Sequence, residues 1–250
     1  MSVYERLQNW FAVPPGADLA QMEVEWLGRV LPELFGYHIL QLGTAAAPAA
    51  MQSSPISHRV SFVADASGLA QAQNGCAVCA PESLAIANDM VDVIVLPHVL
   101  EFSGNPHKVL REVDRVLIGE GHVVLIGFNP WSLWGIWRLM LLWREAPPWC
   151  GHFYGLARIR DWLSLLDFEI VQTRKFFYRP PLASRAAMRR LRFMEKLGRY
   201  LWPVAGGAYL VVARKRVVPL TPVRMRWRAR RSLIAAGIAE PSARVPGVDR

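Results

Sequence analysis

Apolar residues recur at three- and four-residue spacing early in the chain: Leu19, Met22, Trp26, Leu27, Val30, Leu31 and Leu34. That period predicts an amphipathic helix over about 18–35. The pattern then changes to strands. "YHILQLG" (37–43) and "RVSFVAD" (59–65) have this character, and "CAVCA" (76–80) is a shorter case. In "VDVIVLP" (91–97) four apolar residues follow one another without polar alternation, which predicts burial on both faces, as in a parallel sheet.

The second half alternates in the same way. In "NPHKVLREVDRVL" (105–117), Asn105 suits a helix cap and Pro106 the first helical position. Val109, Leu110, Val113, Val116 and Leu117 form one stripe. "IGEG" should break that helix ahead of a buried strand, "HVVLIGF" (122–128). A helix over about 157–166, a strand "FEIVQT" (168–173), a basic helix over about 184–201 and a last strand "AYLVVARKR" (208–216) follow. Strands alternating with helices predict an α/β fold: a mostly parallel central sheet flanked by helices, with a basic helical insert. No period survives beyond 216, so 217–250 reads as an extended or disordered basic tail on a domain of residues 1–216.

Composition narrows the class. A hydrophobic share of 52% over 250 residues supplies a full core and excludes a disordered chain. "MSVYERLQNWFAVPPG" lacks the layout of a secretory leader, and the longest apolar run, "WSLWGIWRLMLLW" (131–143), contains Arg138 and falls short of the roughly 20 residues a membrane span needs. The expected location is cytoplasmic. Three cysteines do not make a disulfide framework. Cys76, Cys79, Cys150 and His152 could supply four zinc ligands, but in a strand positions i and i+3 point to opposite faces, so no metal is expected. Charge is divided unevenly. Residues 1–173 hold 10 Lys/Arg against 17 Asp/Glu, a net −7, and residues 174–250 hold 19 against three, a net +16. A basic end on an acidic body points to an anionic partner or to a solubilising tail.

Chemistry enters with two stretches. "LQLGTAAAPAA" (40–50) runs from a strand through Gly43 into a small-residue turn. "ESLAIANDMVDVIVLPHVLEFSGNPHKVLREVDRVLIGEGHVVLIGF" (82–128) resembles class I S-adenosylmethionine-dependent methyltransferases, in particular the methyltransferase type 11 branch. The acid ahead of strand 4, the "L-x-E-x-x-R-V-L" helix and the glycine turn into strand 5 carry the likeness, which extends more loosely over 37–216. It implies a Rossmann-like methyltransferase fold with S-adenosylmethionine as cofactor. Strands 37–43 and 91–97 should be neighbours near the sheet centre, with Gly43 and Pro97 at the same edge. By the same resemblance, Gln41, Gly43, Thr44 and Ala45 should form the cofactor loop and Asp65 should meet the ribose hydroxyls. Glu82, Ser83 and Leu84 should flank the adenine, and Pro97 and His98 should face the methyl group, with His98 the candidate catalytic residue.

The loop departs from the family. Gln41 stands where an acid is usual, and Ala45 and Ala47 where glycines alternate. If both positions need a left-handed backbone, each alanine costs about 1–2 kcal/mol, together roughly a 30- to 1,000-fold loss of affinity. "GFNPWSLW" (127–134) resembles the N-P-P-[FY] of amino-group methyltransferases but follows strand 5 instead of strand 4. The tryptophan run (131–143) is expected as a helix buried against the sheet, the alternative being a hydrophobic lid or an interfacial anchor. Three functions stay open: methyl transfer to an O, N or C of an acceptor the sequence does not name; a methyltransferase-fold binding module with a vestigial pocket; and contact with RNA or an anionic membrane through residues 184–231.

Overall fold

The computed structural model describes residues 3–43, 48–64, 76–141 and 146–217. Seven strands, β1 (His38–Leu42), β2 (His58–Val63), β3 (Cys76–Val78), β4 (Val91–Pro97), β5 (Leu117–Phe128), β6 (Phe168–Phe176) and β7 (Ala208–Lys215), form one sheet. Their spatial order is β3-β2-β1-β4-β5-β7-β6. β1 pairs in parallel with both β2 and β4, and β4 in parallel with β5. Only β7 runs against its neighbours, pairing antiparallel with β5 and with β6.

The helices are α1 (Val3–Phe11), α2 (Gly16–Val30), α3 (Pro48–Met51), α4 (Pro106–Val116), α5 (Leu133–Met140), α6 (Leu156–Ser164), α7 (Arg185–Arg190) and α8 (Phe193–Leu201). They cover the sheet on both sides, and the two core clusters follow the alternation of the strands. Val93 and Val95 of β4 meet Leu19 and Leu27 of α2 in one cluster; Ile94 and Leu96 meet Val109 and Val113 of α4 in the other. Both faces of β4 and β5 are therefore dry, which is why their sequences show no polar alternation. The α4 cap is as expected, with Asn105 Oδ1 accepting from Lys108 N at 3.1 Å.

Three elements depart from the sequence reading. "IGEG" does not interrupt the chain between helix and strand. β5 begins at Leu117, and the stretch forms an irregularity within it, where the register against β4 shifts and Glu120 takes φ 65°. The basic helix over 184–201 is two helices, broken where Leu191 leaves helical geometry (ψ 9°). α1 has no counterpart in the pattern, yet Leu7 and Phe11 are buried. Among the described residues, no helix is long and apolar enough to cross a membrane. Thr44, Ala45, Ala47, Asp65, Trp143 and the tail from 218 onward lie outside the described residues.

Candidate active site at the switch point

The sheet order reverses between β1 and β4, and in open parallel sheets ligands bind outside the carboxyl ends of the strands at that point. Ile39, Leu40 and Gln41 pair with Val93, Ile94 and Val95, so both strands end on one edge. Gly43 closes β1 there with φ 95°, its N–H donating to Phe62 O at 2.9 Å. A Cβ at Gly43 would stand 2.6 Å from Val99 Cγ2 and 3.5 Å from Pro97 O. Backbone hand and space both require glycine. Gln41 is buried beside it. Gly43 and Pro97 thus share one edge, as expected.

His98 follows directly, also with a left-handed backbone (φ 53°), its N–H donating to Ile126 O at 2.9 Å. The imidazole is wholly enclosed. Its Nε2 donates to Glu23 Oε1 of α2 at 2.8 Å, and its Nδ1 stands 3.4 Å from Glu101 Oε1, an ion-pair distance without hydrogen-bond geometry. Glu101 Oε1 also accepts from Phe128 N at 2.8 Å. The rings of Phe128 and Phe11 lie 4.2 and 5.6 Å from the imidazole, centre to centre. Burial by itself pulls the imidazole pKa down; the Glu23 charge and the polar contacts of Glu101 and Glu23 outweigh it, and the pKa is pushed up to about 10. The ring therefore keeps its proton at neutral pH. Glu23 Oε2 and His98 Nδ1 are buried without a hydrogen-bond partner among the described residues.

Neither glutamate stands out in the sequence by motif. A signal was present, however: Glu23 occupies the apolar stripe of α2, one turn from Leu19 and one from Leu27. A carboxylate on a core-facing stripe needs a buried partner.

Residues 82–84 lie apart from this cluster, beside the start of α4. Glu82 Oε1 accepts from Ser103 Oγ at 2.7 Å and from Asn105 N at 3.2 Å, so it holds the turn that opens the helix. Ser83 is exposed and Leu84 is part of the core. The "L-x-E-x-x-R-V-L" residues brace this segment. Glu112 Oε2 accepts from Leu84 N at 3.1 Å, while Arg115 donates to Leu84 O at 3.0 Å and Ile86 O at 2.9 Å.

The tryptophan run corrects an expectation. α5 follows β5 at the site edge, capped by Ser132, but only Trp134 of that helix is buried. Trp134 stacks on Phe128 at 5.8 Å and donates from Nε1 to Arg179 O at 2.8 Å. Ile136, Leu139 and Met140 are exposed, because a single face of this short helix reaches the core.

The imidazolium and both carboxylates are closed to solvent, so the cluster fixes charge behind the strand ends and offers no open face to a ligand. Of the residues expected beside S-adenosylmethionine, Gly43 closes β1 at this edge, packed against Val99, and Glu82 is engaged in bracing the start of α4.

The strand order defines a class I methyltransferase-like fold. Residues 46–125 match the family described as "Methyltransferase domain". The chain is 34% identical over 212 residues to the protein YafS of Escherichia coli (strain K12), covering 85% of this chain and 82% of that one. Among solved structures it is similar to a SAM-dependent methyltransferase from Archaeoglobus fulgidus (TM-score 0.57, 15% identity, 78% of this chain and 94% of that one). It is also similar to an S-adenosylmethionine-dependent methyltransferase from Mesorhizobium loti (TM-score 0.54, 18% identity, 77% and 98%). The chain belongs to the same family as YafS, and residues 46–125 carry the match to a methyltransferase domain.

Proposed function

We propose that this chain transfers a methyl group from S-adenosylmethionine to an acceptor bound at the carboxyl edge of β1 and β4. The observation that carries this reading is the left-handed, Cβ-intolerant Gly43 ending β1 within reach of Pro97 on the adjacent parallel strand. When bound, the cofactor supplies a methyl group activated by its sulfonium. Gln41, Gly43 and the Thr44–Ala45 stretch would line one side of it, Asp65 the ribose, Pro97 and His98 the reacting end, and Glu82–Leu84 the adenine side.

In this reading His98 is a positioning residue. It carries its proton at neutral pH, so it cannot accept one from the acceptor; it fixes the charges of Glu23 and Glu101 behind the site. Acceleration would come mainly from alignment of acceptor and methyl group in a space closed to water.

Ala45 and Ala47 favour a second reading, a binding module that holds the cofactor too weakly to turn over. Incubation with methyl-labelled S-adenosylmethionine and fractionated cell extract separates the two. Label entering any fraction above a heat-inactivated control supports the enzyme, and label in none supports the module.

A further inference from the structure

Away from the switch point, α5 and α8 enclose a groove of about 270 Å³ lined by Trp131, Leu133, Ile136, Leu197, Leu201 and Trp202, among others. The walls are almost wholly apolar and stand open. Trp131 is 78% exposed, Leu201 66% and Trp202 69%. In α8 none of the nine residues is buried, although its sequence has a pronounced apolar face. Gly198 allows this placement, since a Cβ there would stand 2.5 Å from the Tyr178 ring. Arg179 anchors the pair of helices beneath, donating to Glu195 Oε1 of α8 at 3.0 Å and to Met188 O of α7 at 3.2 Å. The groove is thus held in place, and its exposed face is not a frayed end.

Positive charge lies on the same helices. Arg185, Arg189, Arg190, Arg192, Lys196 and Arg199 of α7, α8 and their junction are all exposed; Arg192 and Arg199 share clefts with Glu25 of α2, and Glu195, the acid of the segment, is taken by Arg179. An apolar patch with an aromatic border, on helices that carry exposed cations, calls for a partner that is greasy inside and anionic at its surface. Six like charges would oppose each other across a pair of copies, which disfavours self-association. Trp131 and Trp202 present flat faces, but Leu133, Ile136, Met194, Leu197 and Leu201 make most of the lining aliphatic, which favours acyl chains over a nucleic acid.

We infer that the α5–α8 face docks on an anionic lipid bilayer, with Trp131, Leu201 and Trp202 entering the headgroup boundary and the arginines of α7 and α8 contacting acidic headgroups. The same α5 carries Trp134, which stacks on the Phe128 ring beside His98, so the docked face lies one helix from the switch point. Docking does not depend on methyl transfer.

Co-sedimentation of the full-length protein with phosphatidylcholine vesicles, with and without phosphatidylglycerol, tests the inference. Binding should need the anionic lipid and weaken with salt. Replacing Arg189, Arg190 and Arg192 by Gln should lower the partition by roughly 100-fold. Leu197→Glu with Leu201→Glu should abolish it while the melting temperature stays put, both residues being exposed. Brominated lipid should quench tryptophan fluorescence of the unaltered protein, which gives a reading independent of any variant. Failure to bind anionic vesicles overturns the inference. So does a uridine oligomer that binds with the same dependence on the arginines and displaces the vesicles, or a dimer abolished by Leu201→Glu.

Discussion

His98, at the carboxyl end of β4, donates to Glu23 of α2 across 75 residues of sequence at 2.8 Å, and both side chains are fully shielded from water. This contact joins the amino-terminal helices to the candidate site.

Its first consequence is a pH dependence. The folded-state pKa of His98 is about 10, above the ordinary 6.5, so the ring binds its proton more tightly in the native state. The stabilisation is fully present below about 6.5 and is lost as pH rises through about 10. Glu23 from α2 and Glu101 from the loop after β4 face the ring, with the Tyr209 phenol, itself shifted upward by burial, close to Glu101. Urea unfolding across this window should show stability falling by at most about 1.4 kcal/mol per pH unit from this one proton. Glu23→Gln should flatten that slope, and by leaving a buried charge without its partner it should cost about 3–5 kcal/mol at neutral pH. An unchanged slope in the variant would assign the dependence to another group.

Gly43→Ala combines two penalties. The left-handed backbone costs an alanine about 1–2 kcal/mol, and the new methyl meets Val99. Shortening Val99 to Ala should relieve the second penalty and spare the first. A double-mutant cycle should therefore show the pair of substitutions costing less than their sum, with coupling of about 0.5–3 kcal/mol. Additive costs would mean that Val99 does not restrict the turn.

Arg115→Met tests the brace behind residues 82–84. It keeps an apolar stem but removes the donors to Leu84 O and Ile86 O and the partner of Glu112, whose carboxyl Arg115 now holds below its ordinary pKa. Faster amide exchange at Leu84 and a lower melting temperature are expected. Arg115→Lys should recover little, since one ammonium cannot reproduce a planar fork. Full rescue by lysine would show that charge alone matters.

Much of the fold was legible because burial on both faces writes itself plainly: "VDVIVLP" has the bounds of β4 as observed, and Gly43 and Pro97 fall on the expected edge. The exposed tryptophan helix was not legible, since hydropathy records how apolar a segment is and not whether anything covers it. α1 escaped because a nine-residue helix owes its stability to tertiary contacts such as those of Leu7 and Phe11. For the site, the motif led to His98, but its partners come from α2 and from a loop, and only folding brings them together.

Calorimetric titration with S-adenosylmethionine, on the unaltered protein and on Ala45→Gly with Ala47→Gly, tests the central claim most directly. Gln41 is left in place because it is buried. The account predicts weak binding by the unaltered chain and binding tighter by up to roughly 30- to 1,000-fold once both glycines are restored. Heat of binding from neither protein would contradict it and leave the fold as a scaffold without its cofactor.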